Sequence, residues 1–133
     1  MTRINLVEPE ELSNQHLVAE YREIFMVGSA LQRSLKSKQW TKTQNELPSE
    51  FTLNKGHVKF FYNKGAYLHK RYKSIVKEMQ RRGMNPDPNR KFKVNQFPKE
   101  YYNNWEPNKE DLHIIRKRIE EKIAIKPHWY KWG

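Results

Sequence analysis

Three stretches of this chain place apolar side chains every three or four residues, and no two stretches alternate as paired strands would, which confines the fold to helices. In the first, Leu17, Val18, Tyr21, Ile24, Phe25, Gly28, Leu31 and Leu35 follow Ser13 and Asn14, both suited to capping, and predict a helix over 14–37. In the second, Leu68, Tyr72, Ile75, Val76 and Met79 share one stripe that stops at Gly83, with Pro86 and Pro88 beyond it. That pattern predicts a helix over 65–82. The third has Leu112, Ile115, Ile119 and Ile123, opened by Asn108-Lys109-Glu110-Asp111 and closed before Pro127, and predicts a helix over 109–125.

The segments between them lack a helical period. Residues 38–63 hold Trp40, Pro48, Phe51, Gly56 and the cluster Val58, Phe60, Phe61 and Tyr62, which could form a short strand but has no partner strand. The stretch reads as mostly irregular. Residues 84–107 carry Pro86, Pro88, Pro98, Pro107 and five asparagines, a long connection for a small domain. Three helices bury little by themselves, so the aromatic residues of these connections are expected to complete the core. The expected fold class is all-α: one domain over 1–133 with three main helices, long ordered connections and an aromatic C-terminal tail.

Charge narrows the partner. Across 133 residues, 26 Lys and Arg stand against 15 Asp and Glu, a net charge of +11, which favours a polyanion. Seventeen aromatic residues, 4 Trp, 7 Tyr and 6 Phe, argue against disorder. The absence of cysteine excludes disulfides, thiolate catalysis and Cys-bearing zinc sites. His16, His57, His69, His113 and His128 form no i, i+4 pair, so neither a metal nor a cofactor is expected. No run is apolar enough to span a bilayer or form a signal-peptide core, so the expected setting is cytoplasmic, on nucleoid or viral DNA, and not secreted. The charge is uneven: residues 1–23 carry a net of −3, and residues 57–93 a net of +9. Within the second helix Lys70, Arg71, Lys73, Lys77, Arg81 and Arg82 form either a solvated face or a phosphate-contacting one.

Turning the first helix by 100° per residue gathers Leu17, Tyr21, Ile24, Gly28, Leu31 and Leu35 on one arc. The opposite arc holds Gln15, His16, Ala19, Arg22, Glu23, Met26 and Ala30, a polar face with two alanines that lets a ligand approach the helix axis. The chain starts Met1-Thr2-Arg3, and the small Thr2 side chain favours removal of Met1. A free α-amine titrates near pH 7.7–8.0, against about 10.4 for lysine, and so supplies an unprotonated amine nucleophile at neutral pH.

Thr2-Arg3-Ile4-Asn5-Leu6, then Asn14-Gln15-His16-Leu17 and Ala19-Glu20-Tyr21-Arg22-Glu23, closely resemble the start of the phage-type pyrimidine-dimer DNA glycosylase/AP lyases, the ultraviolet-repair endonuclease V family. The likeness continues through Gly56-His57-Val58, Phe60-Phe61-Tyr62, Lys70-Arg71, Arg82-Gly83, Glu121-Lys122-Ile123-Ala124, Pro127 and Trp129-Tyr130-Lys131. The resemblance implies a monomer acting on double-stranded DNA that contains ultraviolet photoproducts or abasic sites. It assigns catalysis to the Thr2 amine and the Glu23 carboxylate: attack at C1′, loss of the base, an imine, then β-elimination. It assigns DNA binding to Arg3, Gln15, His16, Arg22, Arg118, Lys122, Trp129, Tyr130 and Lys131, with lesion recognition mainly through bending and base flipping. The chain departs from the family pattern at Phe25-Met26, where a proline-arginine pair is usual, and at Trp132, where a tyrosine is. Two other readings stay open: the same imine chemistry with a different lesion preference, and a catalytically silent basic nucleic-acid-binding module.

Overall fold

The computed structural model describes residues 2–133; Met1, and with it the expected processing of the N-terminus, lies outside the described residues. Six α-helices occur in chain order: α1 Asn14–Glu23, α2 Phe25–Leu35, α3 Trp40–Asn45, α4 His57–Phe60, α5 Gly65–Arg81 and α6 Lys109–Ile125. No strand forms among the described residues, and the all-α expectation holds.

The ends of the helices follow their sequences. The Ser13 hydroxyl accepts the His16 N–H at 3.1 Å and opens α1. Asn108 and Asp111 exchange reciprocal bonds at 2.8 and 3.0 Å, a capping box that starts α6 at the expected residue. After α5, Gly83 sits at φ 84°. The Gly83 N–H bonds the Gln80 carbonyl and the Met84 N–H the Met79 carbonyl, the paired bonds of a Schellman ending that a left-handed glycine permits.

One expectation needs correction. The helix predicted over 14–37 is divided: its regular pattern lapses at Ile24, and α1 and α2 flank the break. Residues 38–63 are mostly irregular, as expected, and carry only the short helices α3 and α4. The aromatic cluster there needs no partner strand, because Phe51, Phe60 and Phe61 pack edge to face and Trp105 of connection 84–107 completes the group, edge to face on Phe60 and Phe61 and stacked on Phe51, at centroid distances of 5.1 to 6.5 Å. Connection 84–107 contains 3-10 turns at Val94–Gln96 and Lys99–Tyr101, and delivers Phe92, Phe97, Tyr102 and Trp105 to the core.

That core is continuous. Ile4, Leu17, Ile24, Leu31, Phe61, Leu68, Ile75 and Ile115 are fully buried, so the N-terminal arm, α1, α2, α5 and α6 share one apolar interior. Each such aliphatic side chain contributes about 1.5–3 kcal/mol through burial. Gly65 permits close packing at the start of α5: a Cβ there would lie 2.7 Å from the Phe97 ring.

Two buried carboxylates hold the outer elements to this frame. Glu20 of α1 receives Arg71 of α5 through Nε at 2.7 Å and Nη2 at 3.0 Å. Glu78 receives Arg81 and Arg82, and Arg82 also donates to Asn14 Oδ1 at 2.9 Å and to the carbonyls of Pro9 and Glu10. Of the basic residues on α5, Arg71 is therefore an internal partner, and Arg81 and Arg82 are tied to Glu78. Only Lys70, Lys73 and Lys77 stay exposed without such a role.

Candidate active site

Residues 2–7 have no helical pattern, and their placement depends on buried polar groups. The Asn5 N–H and side-chain amide both donate to Glu20 Oε1, at 3.1 and 2.9 Å. Arg71 Nη1 donates to the Val7 carbonyl. His57 is buried; its Nδ1–H donates to the Thr52 carbonyl at 2.8 Å, which leaves Nε2 to accept the Ile4 N–H at 3.0 Å. Burial draws this imidazole down to about 4, against the opposing effect of the Thr52 carbonyl, so the ring is neutral and keeps that acceptor at neutral pH. Burial also works against a charged Arg71, but adjacent Glu20 holds it cationic. Leu6, at φ 59°, makes the sharp turn that lets the Val7 N–H bond the Asn5 carbonyl, a left-handed geometry that leucine rarely adopts.

This anchoring carries Arg3 to a cleft of about 230 Å³ between the arm, α1 and α6. Arg3 and Asn5 line it from the arm, His16, Ala19, Glu20 and Glu23 from α1, and Arg118, Ile119 and Lys122 from α6. Thr2 is buried, with its hydroxyl 3.4 Å from Met26 Sδ. Arg3 Nε and Nη1 are buried without a hydrogen-bond partner. Burial first, then the positive charge of Arg118, lowers Arg3 below its ordinary value, while Glu23 acts in the opposite direction. The cleft thus sets two carboxylates among cationic groups: Glu20, already held by Arg71 and Asn5, and Glu23, which shares the lining with Arg3, Arg118 and Lys122.

His16 stacks on Tyr130 with centroids 4.9 Å apart, and burial, reinforced by Arg118, favours its neutral form. Gln15 straps the C-terminal tail to α1: its Nε2 donates to the Trp129 carbonyl at 2.7 Å and its Oε1 accepts the Lys131 N–H at 3.1 Å. The Asn14 N–H bonds the Lys131 carbonyl at 2.7 Å, and Trp132 Nε1 bonds the Glu11 carbonyl at 3.0 Å. The backbone of the tail is fixed while the Trp129 ring remains exposed, beside a shallow groove that Arg22, Val18 and Ala19 also line.

Of the residues singled out from the sequence, Arg3, His16, Glu23, Arg118 and Lys122 share the cleft, whereas Thr2, next to Arg3 in the chain, is not among its lining residues. Arg22, Trp129, Tyr130 and Lys131 stand on the adjoining tail side, with both ends of the Gln15 amide engaged by the tail. Glu20, Arg71 and His57, which hold the arm, were not foreseen as site residues. Glu20 and Arg71 did carry a signal: each falls within the apolar stripe of its own helix, where a charged side chain requires a partner.

The cleft joins an N-terminal arm, two acidic side chains and a set of cations on an all-helical frame. Residues 1–92, more than two thirds of the chain, match the family model described as pyrimidine dimer DNA glycosylase, and the chain belongs to that DNA-repair family.

Proposed function

We propose that this protein is a bifunctional DNA glycosylase/AP lyase in which the Thr2 α-amine, freed by loss of Met1, is the nucleophile and Glu23 the catalytic carboxylate. The observation that supports this reading is the convergence of the anchored arm, Glu23, Arg3, Arg118 and Lys122 on one cleft. The amine forms a bond to C1′ of the 5′ nucleotide of a pyrimidine dimer as the glycosidic bond breaks and its electron pair leaves with the base. Opening of the sugar then gives a C1′ imine. Removal of a C2′ proton expels the 3′ phosphate and cuts the strand. Glu23 stabilises the developing positive charge on the sugar and assists the proton transfers, while the cations around it hold phosphate.

Arg22, Gln15, His16, Trp129, Tyr130 and Lys131 form the rest of the DNA surface in this reading, Gln15 acting through the tail it fastens. The protein acts as a monomer on ultraviolet-damaged or abasic duplex DNA, wherever that DNA lies in the cell. Borohydride reduction during turnover tests the chemistry. A covalent protein–DNA adduct that maps to Thr2, with a protein mass lacking Met1, is the expected result. No adduct on either dimer-containing or abasic duplex would remove the imine mechanism and leave the silent binding module. Glu23→Gln is expected to bind DNA normally and to lose most cleavage.

A second reading keeps this chemistry with a different lesion preference. It is favoured by Met26, a largely exposed side chain whose sulfur contacts the Thr2 hydroxyl. Parallel trapping on dimer-containing and abasic duplexes separates the two, since a strong adduct on abasic DNA alone supports the altered preference.

A further inference from the structure

Glu23 is the last residue of α1, and the regular helix lapses immediately after it, at Ile24. The Ile24 N–H still bonds the Glu20 carbonyl at 2.9 Å, so the turn that carries Glu23 is complete. Carbonyls at a helix end require outside donors, and whatever supplies them fixes the direction of the final turn. Here the donor is Arg90, from connection 84–107. Its Nη1 donates to the Tyr21 carbonyl at 2.6 Å and its Nη2 to the Arg22 carbonyl at 3.1 Å.

The guanidinium is itself held in position. It lies 3.9 Å from the centroid of Phe25, 4.3 Å from Tyr21 and 5.5 Å from Tyr72, so rings from both sides of the break and from α5 face one cation. The loop that bears it is tied down: the Asp87 N–H donates to Tyr21 Oη at 3.0 Å, and Tyr72 Oη donates to the Arg90 carbonyl at 2.9 Å. An Asx turn from the Asn89 N–H to Asp87 Oδ1 at 2.9 Å shapes the approach. Arg90 is not among the residues that line the cleft.

We propose that Arg90 is a positioning residue for Glu23: by bonding two consecutive carbonyls at the helix break, it sets the angle of the last turn of α1 and aims the carboxylate into the cleft. This gives connection 84–107 a role in the reaction through the geometry of α1. Lysine cannot substitute fully, because only a planar fork reaches both carbonyls while lying flat on the rings. The proposal rests on the assignment of Glu23 above.

A double-mutant cycle tests it, with single-turnover cleavage and equilibrium binding measured on a duplex carrying one abasic site. Arg90→Ala is expected to slow cleavage at least tenfold while binding changes less than threefold. Added to Glu23→Gln, it should not lower the slow residual rate further, because the group it positions is already gone. Equal fold-losses in both backgrounds, or binding that falls in step with cleavage, would overturn the proposal and mark Arg90 as a general stabiliser. Should circular dichroism show that Arg90→Ala does not fold, Arg90→Lys takes its place, with an intermediate loss that again vanishes beside Glu23→Gln; wild-type cleavage by Arg90→Lys overturns the two-carbonyl clamp. Wild-type cleavage by Glu23→Gln alone would remove the role of Glu23 and this proposal with it, an outcome distinct from additive losses, which remove only the clamp.

Discussion

Replacing Glu20 by glutamine keeps the size of the side chain and removes its charge. In the native protein Oε1 accepts three N–H groups, from the Asn5 backbone, the Asn5 side chain and Arg71 Nη2, and Oε2 accepts Arg71 Nε at 2.7 Å. A glutamine whose oxygen serves the first three turns its own NH2 toward Arg71 Nε, donor against donor. The guanidinium is then left buried without a counter-charge, and disrupting one partner of a buried pair costs about 3–5 kcal/mol. With an unfolding entropy of roughly 2.1 cal/mol/K per residue across 133 residues, each kcal/mol lowers Tm by about 3–4 °C. Thermal melts of Glu20→Gln followed by far-ultraviolet circular dichroism should therefore fall by at least about 10 °C. Glu20→Gln/Arg71→Met should recover part of that loss by removing the stranded charge, but not all of it, because the Val7 carbonyl loses its donor. A Tm within 3 °C of wild type would refute the claim that this pair secures the arm, since an exposed or water-bridged pair contributes only about 0–1 kcal/mol.

The other expectations follow from single contacts. His57 has a lowered folded pKa, so between its ordinary 6.5 and about 4 the unfolded chain takes up a proton that the folded protein refuses. Its contribution, on the order of 3 kcal/mol at most, is complete above pH 6.5 and disappears as the pH falls toward 4. Urea midpoints of wild type should fall across that window, and His57→Gln should flatten most of the fall; an unchanged slope would show that His57 does not govern it. Gly65→Ala drives a methyl to 2.7 Å from the buried Phe97 ring and should cost about 1–3 kcal/mol in chemical denaturation. Gly28→Ala meets chiefly the end of the Gln96 side chain, which is able to swing aside, and should cost less. Gln15→Ala removes both side-chain ties to the tail. Protease cleavage near 129–131 should accelerate and affinity for duplex DNA should fall, while trapping at saturating DNA stays near normal; unchanged protection of the tail would refute the strap.

Much of the fold is legible in the sequence because its signals are local. The apolar spacing, the Ser13 and Asn108 caps and Gly83 each act over three or four residues, so the second and third helices end close to where they are expected. The cleft is legible in part for the same reason: His16 and Glu23 share one face of α1, and Arg118 and Lys122 share one face of α6. Less legible are features set by partners distant in sequence. The break at Ile24 has no proline or glycine to announce it, and the donors that occupy its carbonyls come from Arg90, 69 and 68 positions away. Likewise Arg71 reads as one more phosphate-seeking base until Glu20 is found against it, 51 positions earlier. The cost of burying an unpaired charge offers a way through: a Glu or Arg at an apolar helical position predicts an opposite charge on the facing helix. On that rule Glu20 and Arg71 select each other across α1 and α5, and Glu23, one turn of helix further on, is left free to face the cleft.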